Sequence, residues 1–166
     1  MAKIGIYYGS DTGTTQTIAE QIGKSLGVSK EDMHDVGSSQ ADFSQYDVLL
    51  FGTSTMGLGD MQDDWDGFID KVKKVDLTGK KVGLFGCGDS VSYSDTFCDG
   101  VGKIYQDIKN SGCQIIGRMG VEGYNFDSSE AVVDGELVGL LIDEDNESDD
   151  TPHRISLWIE QLKKEM

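Results

Sequence analysis

Short apolar runs with the length of strands alternate with apolar stripes at helical spacing, and that alternation leaves few folds open to the chain. Strand candidates cover residues 3–8, 32–36, 46–52, 81–87 and 114–118. Between and after them, Trp65, Phe68, Ile69 and Val72 recur at i, i+3, i+4 and i+7. Val101, Ile104, Tyr105 and Ile108 repeat that spacing, as do Ile155, Trp158, Ile159 and Leu162, while Ile18, Ile22 and Leu26 make a narrower stripe. Each such stripe predicts a helix lying along a sheet. Runs such as Val48-Leu49-Leu50-Phe51 show no polar alternation, so both faces of the strand must be covered. The expected fold is α/β: a doubly wound, five-stranded parallel sheet in the order 2-1-3-4-5. In that order a ligand crevice opens beyond the carboxyl ends of the first and third strands. At 166 residues the chain fits one domain, residues 1–166.

Residues 120–150 break the rhythm and read as an insertion that splits the fifth strand, with residues 137–142 completing it. The acidic run from Asp143 to Asp150 invites comparison with a calcium loop, but such a loop needs Gly where this chain has Ser148 and Glu where it has Arg154. A solvated loop leading into the last helix is expected instead.

The first strand ends in a loop of hydroxyls and glycine, Ser10-Asp11-Thr12-Gly13-Thr14-Thr15, directly before a helical pattern. Ser10, Thr12, Thr14 and Thr15 each offer an O–H, Gly9 and Gly13 allow the backbone N–H groups to converge, and the helix adds its positive end. No Lys or Arg lies between Lys3 and Lys24. The loop therefore suits a single phosphate held by neutral donors, rather than a free polyphosphate.

Two further loops should meet this one at the same sheet edge. Thr53-Ser54-Thr55-Met56-Gly57-Leu58-Gly59-Asp60 lays Met and Leu on a glycine-rich turn, and Gly88-Asp89 through Tyr93 carries an aromatic ring beyond its strand. A ring on one side and an apolar pair on the other make a slot for a flat ligand. A planar ring on a phosphorylated chain satisfies all three loops.

Composition closes other routes. A formal charge of −16 repels nucleic acid and anionic lipid and steers the chain toward basic protein surfaces. Cys87, Cys98 and Cys113 have no metal spacing and suit reduced thiols; with no apolar span and no leader, a cytoplasmic location is expected. His34 and His153 adjoin no nucleophile motif and are expected at the surface. No catalytic or metal-ligating residue is expected. A receiver domain would need a phosphorylatable Asp ending strand three and a Lys ending strand five; Thr53-Ser54-Thr55 stands at the first, and Lys is absent from residues 112–153.

In these loops the chain resembles the flavodoxins, and among them the long-chain type. The family's phosphate loop matches residues 10–15, its flavin-flanking loops match residues 53–59 and 88–93, and its insertion is echoed by Gly123-Tyr124-Asn125-Phe126 and by Val138-Gly139-Leu140 through Asn146. The resemblance implies noncovalent FMN and cofactor contacts at Ser10, Asp11, Thr12, Gly13, Thr14, Thr15, Thr53, Ser54, Thr55, Met56, Gly57, Leu58, Gly59, Cys87, Gly88, Asp89, Tyr93, Cys98 and Asp145. Met56 stands where many long-chain members have Trp, so stacking on that side should be weaker.

The resemblance further implies a low-potential one-electron carrier working through the neutral semiquinone and anionic hydroquinone, without substrate turnover of its own. Asp60, Asp64, Asp89, Asp95 and Asp99 should disfavour the anionic form. One carboxylate ~10 Å away at an effective dielectric near ~20 opposes it by about 1.7 kcal/mol, or roughly 70 mV, before screening. Gly57 should turn its carbonyl toward the reduced ring. Implied partners are redox proteins with basic faces: ferredoxin/flavodoxin-NADP reductase or pyruvate oxidoreductase as donors, and reductases, radical enzymes or nitrogenase as acceptors, met by a monomer. The competing expectation, an NAD(P)H-dependent flavin or quinone reductase, would have Arg in the phosphate loop and open space over the ring.

Overall fold

The computed structural model describes residues 2–56 and 58–166, and of Met56 the backbone alone. In chain order the elements are β1 (Ile4–Gly9), α1 (Thr14–Leu26), β2 (Met33–Asp35), β3 (Val48–Met56), β4 (Asp60–Met61), α2 (Asp63–Val72), β5 (Lys81–Cys87), α3 (Asp99–Ile108), β6 (Gln114–Ile116), β7 (Met119–Gly120), β8 (Val132–Val133), β9 (Glu136–Leu137), β10 (Leu140–Ile142) and α4 (Thr151–Glu165). The main sheet runs β2-β1-β3-β5-β10, all parallel, which is the expected doubly wound order.

The fifth position is split as expected. Lys81–Gly83 of β5 pairs with β6 and Phe85–Cys87 pairs with β10, so two short strands share one neighbour end to end. β6 stops at Ile116 because Gly117 turns at φ 75° and gives its carbonyl to the Trp158 indole N–H at 2.8 Å. Residues 137–142 are not one strand. Leu137 belongs to a small antiparallel sheet, β7-β9-β8, and Leu140 to the main sheet. Gly139 lies at the crossing, where a Cβ would sit 1.9 Å from the Leu84 carbonyl oxygen.

The sheet is also less purely parallel than expected. β3 runs on past Gly52 to Met56, and β4 folds back against it antiparallel, pairing Thr55 with Met61 and Met56 with Asp60. The return strand supplies hydrogen-bond partners that a lone extension would lack.

Side chains alternate across the strands. Tyr7, Leu49 and Phe51 meet Trp65, Phe68, Val101 and Ile104 on the face covered by α2 and α3. Ile6, Val48, Leu50 and Phe85 meet Ile18, Ile22, Ile155 and Trp158 on the face covered by α1 and α4. The four helices thus bury the stripes their spacing predicts, with Tyr105 and Leu26 only half-buried at the margins.

Two expectations need correction. His34 is half-buried and not simply at the surface. Its ring stacks on Tyr7 at 4.5 Å between centroids, and its Nε2 lies 2.7 Å from the Tyr46 hydroxyl, which donates to Asp32 at 2.9 Å. The acidic segment is not simply solvated: Asp143 is fully buried and accepts from the N–H and O–H of Ser90 and from Asn146. A buried carboxylate surrounded by donors ties the insertion to the loop after β5.

Candidate functional site

At the carboxyl edge of the sheet, three loops and the insertion enclose one cleft of about 270 Å³. The loop after β1 contributes Asp11, Thr12 and Thr14, and the end of β3 contributes Ser54 and Thr55. The loop after β5 contributes Cys87, Gly88, Asp89 and Tyr93; Cys98 precedes α3, and Asp145 comes from the insertion. Eleven of the residues expected from sequence thus line one cavity: Asp11, Thr12, Thr14, Ser54, Thr55, Cys87, Gly88, Asp89, Tyr93, Cys98 and Asp145.

The first loop is built for an anion. α1 begins at Gly13, whose φ of 91° turns the backbone into the helix, and no side chain caps the helix N-terminus. Its first-turn N–H groups are left for another acceptor. The Thr12 and Thr14 hydroxyls lie 3.4 Å apart, and Ser10 Oγ accepts from the Gly13 N–H at 3.0 Å. Thr15 is fully buried, and among the described residues its hydroxyl has no nitrogen or oxygen partner; the weakly bonding Cys87 thiol lies beside it. A buried unsatisfied hydroxyl is unfavourable unless something arrives to bond it. The first turn holds no acidic residue. These features fit a phosphate group.

The opposite wall suits a ring. Tyr93 is 44 % exposed although large and aromatic, and it is fixed from behind: Asp89 Oδ1 accepts from Val91 N–H at 3.0 Å, Ser92 N–H at 2.9 Å and Asn146 Nδ2 at 2.8 Å. Hydrogen bonds from Ser92 and Asn146 hold the Asp89 carboxyl below its ordinary pKa. Burial pushes the Cys87 thiol up to about 12 and raises Cys98 as well, so both line the cleft as neutral thiols. Asp145 is raised by partial burial and by the nearby carboxylates of Asp89, Asp143 and Glu144.

Other expected residues lie elsewhere. Thr53 is fully buried and does not line the cleft; its oxygen accepts from Gln62 N–H at 3.0 Å and its hydroxyl donates to the Ser54 carbonyl. Leu58 is 83 % exposed, and Gly59 is buried at φ 109° beneath the turn. Gly57 and the side chain of Met56 lie outside the described residues. Asp99, expected among the carboxylates around the loops, is buried: Glu130 N–H donates to it at 2.7 Å, and burial raises its carboxyl pKa.

Sequence reasoning missed Thr96 and Glu144, which also line the cleft, and above all Gln62. Gln62 is 1 % exposed; its Nε2 donates to Asp11 Oδ1 at 2.7 Å and to Asp64 Oδ2 at 3.0 Å, and its Oε1 accepts from Asp64 N–H at 3.0 Å. The one local signal was its position just before the acidic first turn of α2, where a polar side chain caps the helix.

Comparison with known proteins agrees with this geometry. The family model described as Flavodoxin matches residues 6–158. The chain is 46% identical to a flavodoxin of Synechococcus elongatus, over 99% of this chain and 98% of that one. It is 45% identical to one of Haemophilus influenzae, over 100% and 97%. Among solved structures it superposes on Fusobacterium nucleatum flavodoxin bound to flavin mononucleotide with a TM-score of 0.93, at 31% identity, covering 100% of this chain and 99% of that one.

Proposed function

The chain belongs to the flavodoxin family, and from that premise we propose how its cleft does the family's work. It is an FMN-binding carrier of single electrons between redox proteins, not an enzyme with a substrate of its own. Bound FMN supplies a ring that takes up and releases electrons one at a time. The observation that carries the reading is the uncapped start of α1 with the orphaned, buried Thr15 hydroxyl behind it, at a cleft whose far wall displays Tyr93.

In this reading residues 10–15 hold the phosphate by hydroxyls and backbone N–H groups. Tyr93 lies against one face of the ring, and Ser54 and Thr55 at the end of β3 lie toward the other. Cys87, Gly88 and Cys98 form the floor, Asp89 and Asp145 the rim, and Thr53 braces the turn from below. The side chains exclude water and fix the ring; they move no proton themselves. The chain works as one long-chain domain, residues 1–166, monomeric and cytoplasmic. Its exposed Asp60, Asp64 and Asp95 meet basic faces on ferredoxin/flavodoxin-NADP reductase or pyruvate oxidoreductase as donors, and on reductases, radical enzymes or nitrogenase as acceptors.

Titration of the apoprotein into FMN tests this directly. One equivalent should quench the fluorescence of the free flavin, and stepwise reduction should pass through a distinct one-electron species. Unquenched FMN in the presence of excess protein would overturn the assignment.

A further inference from the structure

Asp11 puts a negative charge in the middle of a loop whose other side chains are all neutral donors or glycine. A carboxylate there opposes any phosphate that enters, since like charges at short range inside a partly dry cleft repel strongly. The structure shows what becomes of that charge. Gln62 Nε2 donates to Asp11 Oδ1 at 2.7 Å and to Asp64 Oδ2 at 3.0 Å, and the amide's other end, Oε1, accepts from the Asp64 N–H at 3.0 Å. Both amide hydrogens are thereby used, each on a carboxylate. The backbone makes room for this: a Cβ on Gly9 would lie 2.3 Å from Gln62 Oε1, so the last residue of β1 has to be glycine for the amide to occupy its place.

We infer that Gln62 is a positioning residue that holds the Asp11 carboxylate aside and so lets an acidic residue sit within a phosphate cradle. The inference rests on the FMN reading but concerns only the phosphate end. Gln62 is absent from the cleft wall and lines no part of the ring slot. Its loss should therefore be felt by a phosphorylated flavin and not by riboflavin, which has the same ring without the phosphate. A hydrogen bond to a charged group is among the stronger ones, so releasing the carboxylate should weaken FMN binding about tenfold or more.

Apoprotein with Gln62→Leu, Asp11→Asn and both substitutions together would be titrated with FMN and with riboflavin, at low and high salt. The expected result is FMN binding weakened about tenfold or more by Gln62→Leu, with riboflavin changed less than about twofold. Asp11→Asn should restore FMN binding in the double variant relative to Gln62→Leu. The FMN defect should also shrink in high salt. Equal weakening of both flavins, or a double variant as weak as Gln62→Leu, would overturn the clamp and reduce Gln62 to a brace of the fold. Should Gln62→Leu fail to fold, the neutral, unbranched Gln62→Met, which removes the same donor without adding charge, is read the same way. A wild-type chain that quenches no FMN overturns the carrier reading itself, and the clamp falls with it.

Discussion

Thr15 carries two opposed demands on one oxygen atom. In the free chain its hydroxyl is buried beside a thiol and, among the described residues, has no oxygen or nitrogen partner; such a group destabilises the fold by ~1–3 kcal/mol. The same hydroxyl, at the first turn of α1, is placed to serve a ligand. Thr15→Val should therefore raise the unfolding midpoint of the apoprotein, by the equivalent of about 1 kcal/mol, while weakening FMN binding about tenfold. Urea titration and fluorescence titration of the same variant would show the two changes with opposite signs; a variant that loses both would mean the hydroxyl is simply part of the packing. Nothing in the sequence context of Asp143 separates it from the five acidic residues that follow it to Asp150 among Asn and Ser, yet it alone is buried and tied to Ser90.

Between elements, close approach decides what is tolerated. β9 hands over to β10 through Gly139, whose missing Cβ leaves room for the Leu84 carbonyl. Gly139→Ala should destabilise the chain by about 3 kcal/mol, because the obstructing atom belongs to the backbone of the interior strand β5 and cannot swing aside. Thermal or urea unfolding would register this, and near-wild-type stability would show that β10 can shift. At the other edge, β2 seats His34 in an aromatic cluster with Tyr7 and Tyr46. Burial lowers the His34 pKa, outweighing the opposite pull of Asp32. The folded state then binds fewer protons than the unfolded one, so this contribution is fully present above the unfolded value of about 6.5 and is lost as pH falls from there toward the lower folded value. Replacing His34 with Gln should flatten the stability profile over that window; an unchanged slope would place its origin elsewhere.

At the scale of the molecule, a charge of −16 governs how partners arrive. Electrostatic steering of an acidic carrier onto a basic redox protein should raise the association rate at low salt and lose that advantage as ions screen it. Stopped-flow electron transfer to such a partner should slow about tenfold or more between ~10 mM and ~500 mM salt. A rate that ignored ionic strength would mean that docking does not use the acidic rim. Among the described residues no helix is long and apolar enough to cross a membrane.

The sequence by itself determined the sheet order, the faces of the four helices, the split fifth strand and the three loops of the cleft. Each rests on a local signal: apolar period, glycine in a turn, hydroxyls before a helix. Only the tertiary structure decided which polar residues work from inside. Gln62 reaching Asp11 across 51 positions, Asp99 bonded to the N–H of Glu130, and His34 stacked on Tyr7 are pairings between distant segments. Periodicity records which side of an element is apolar; it carries no information about which donor a folded chain will bring to a given acceptor.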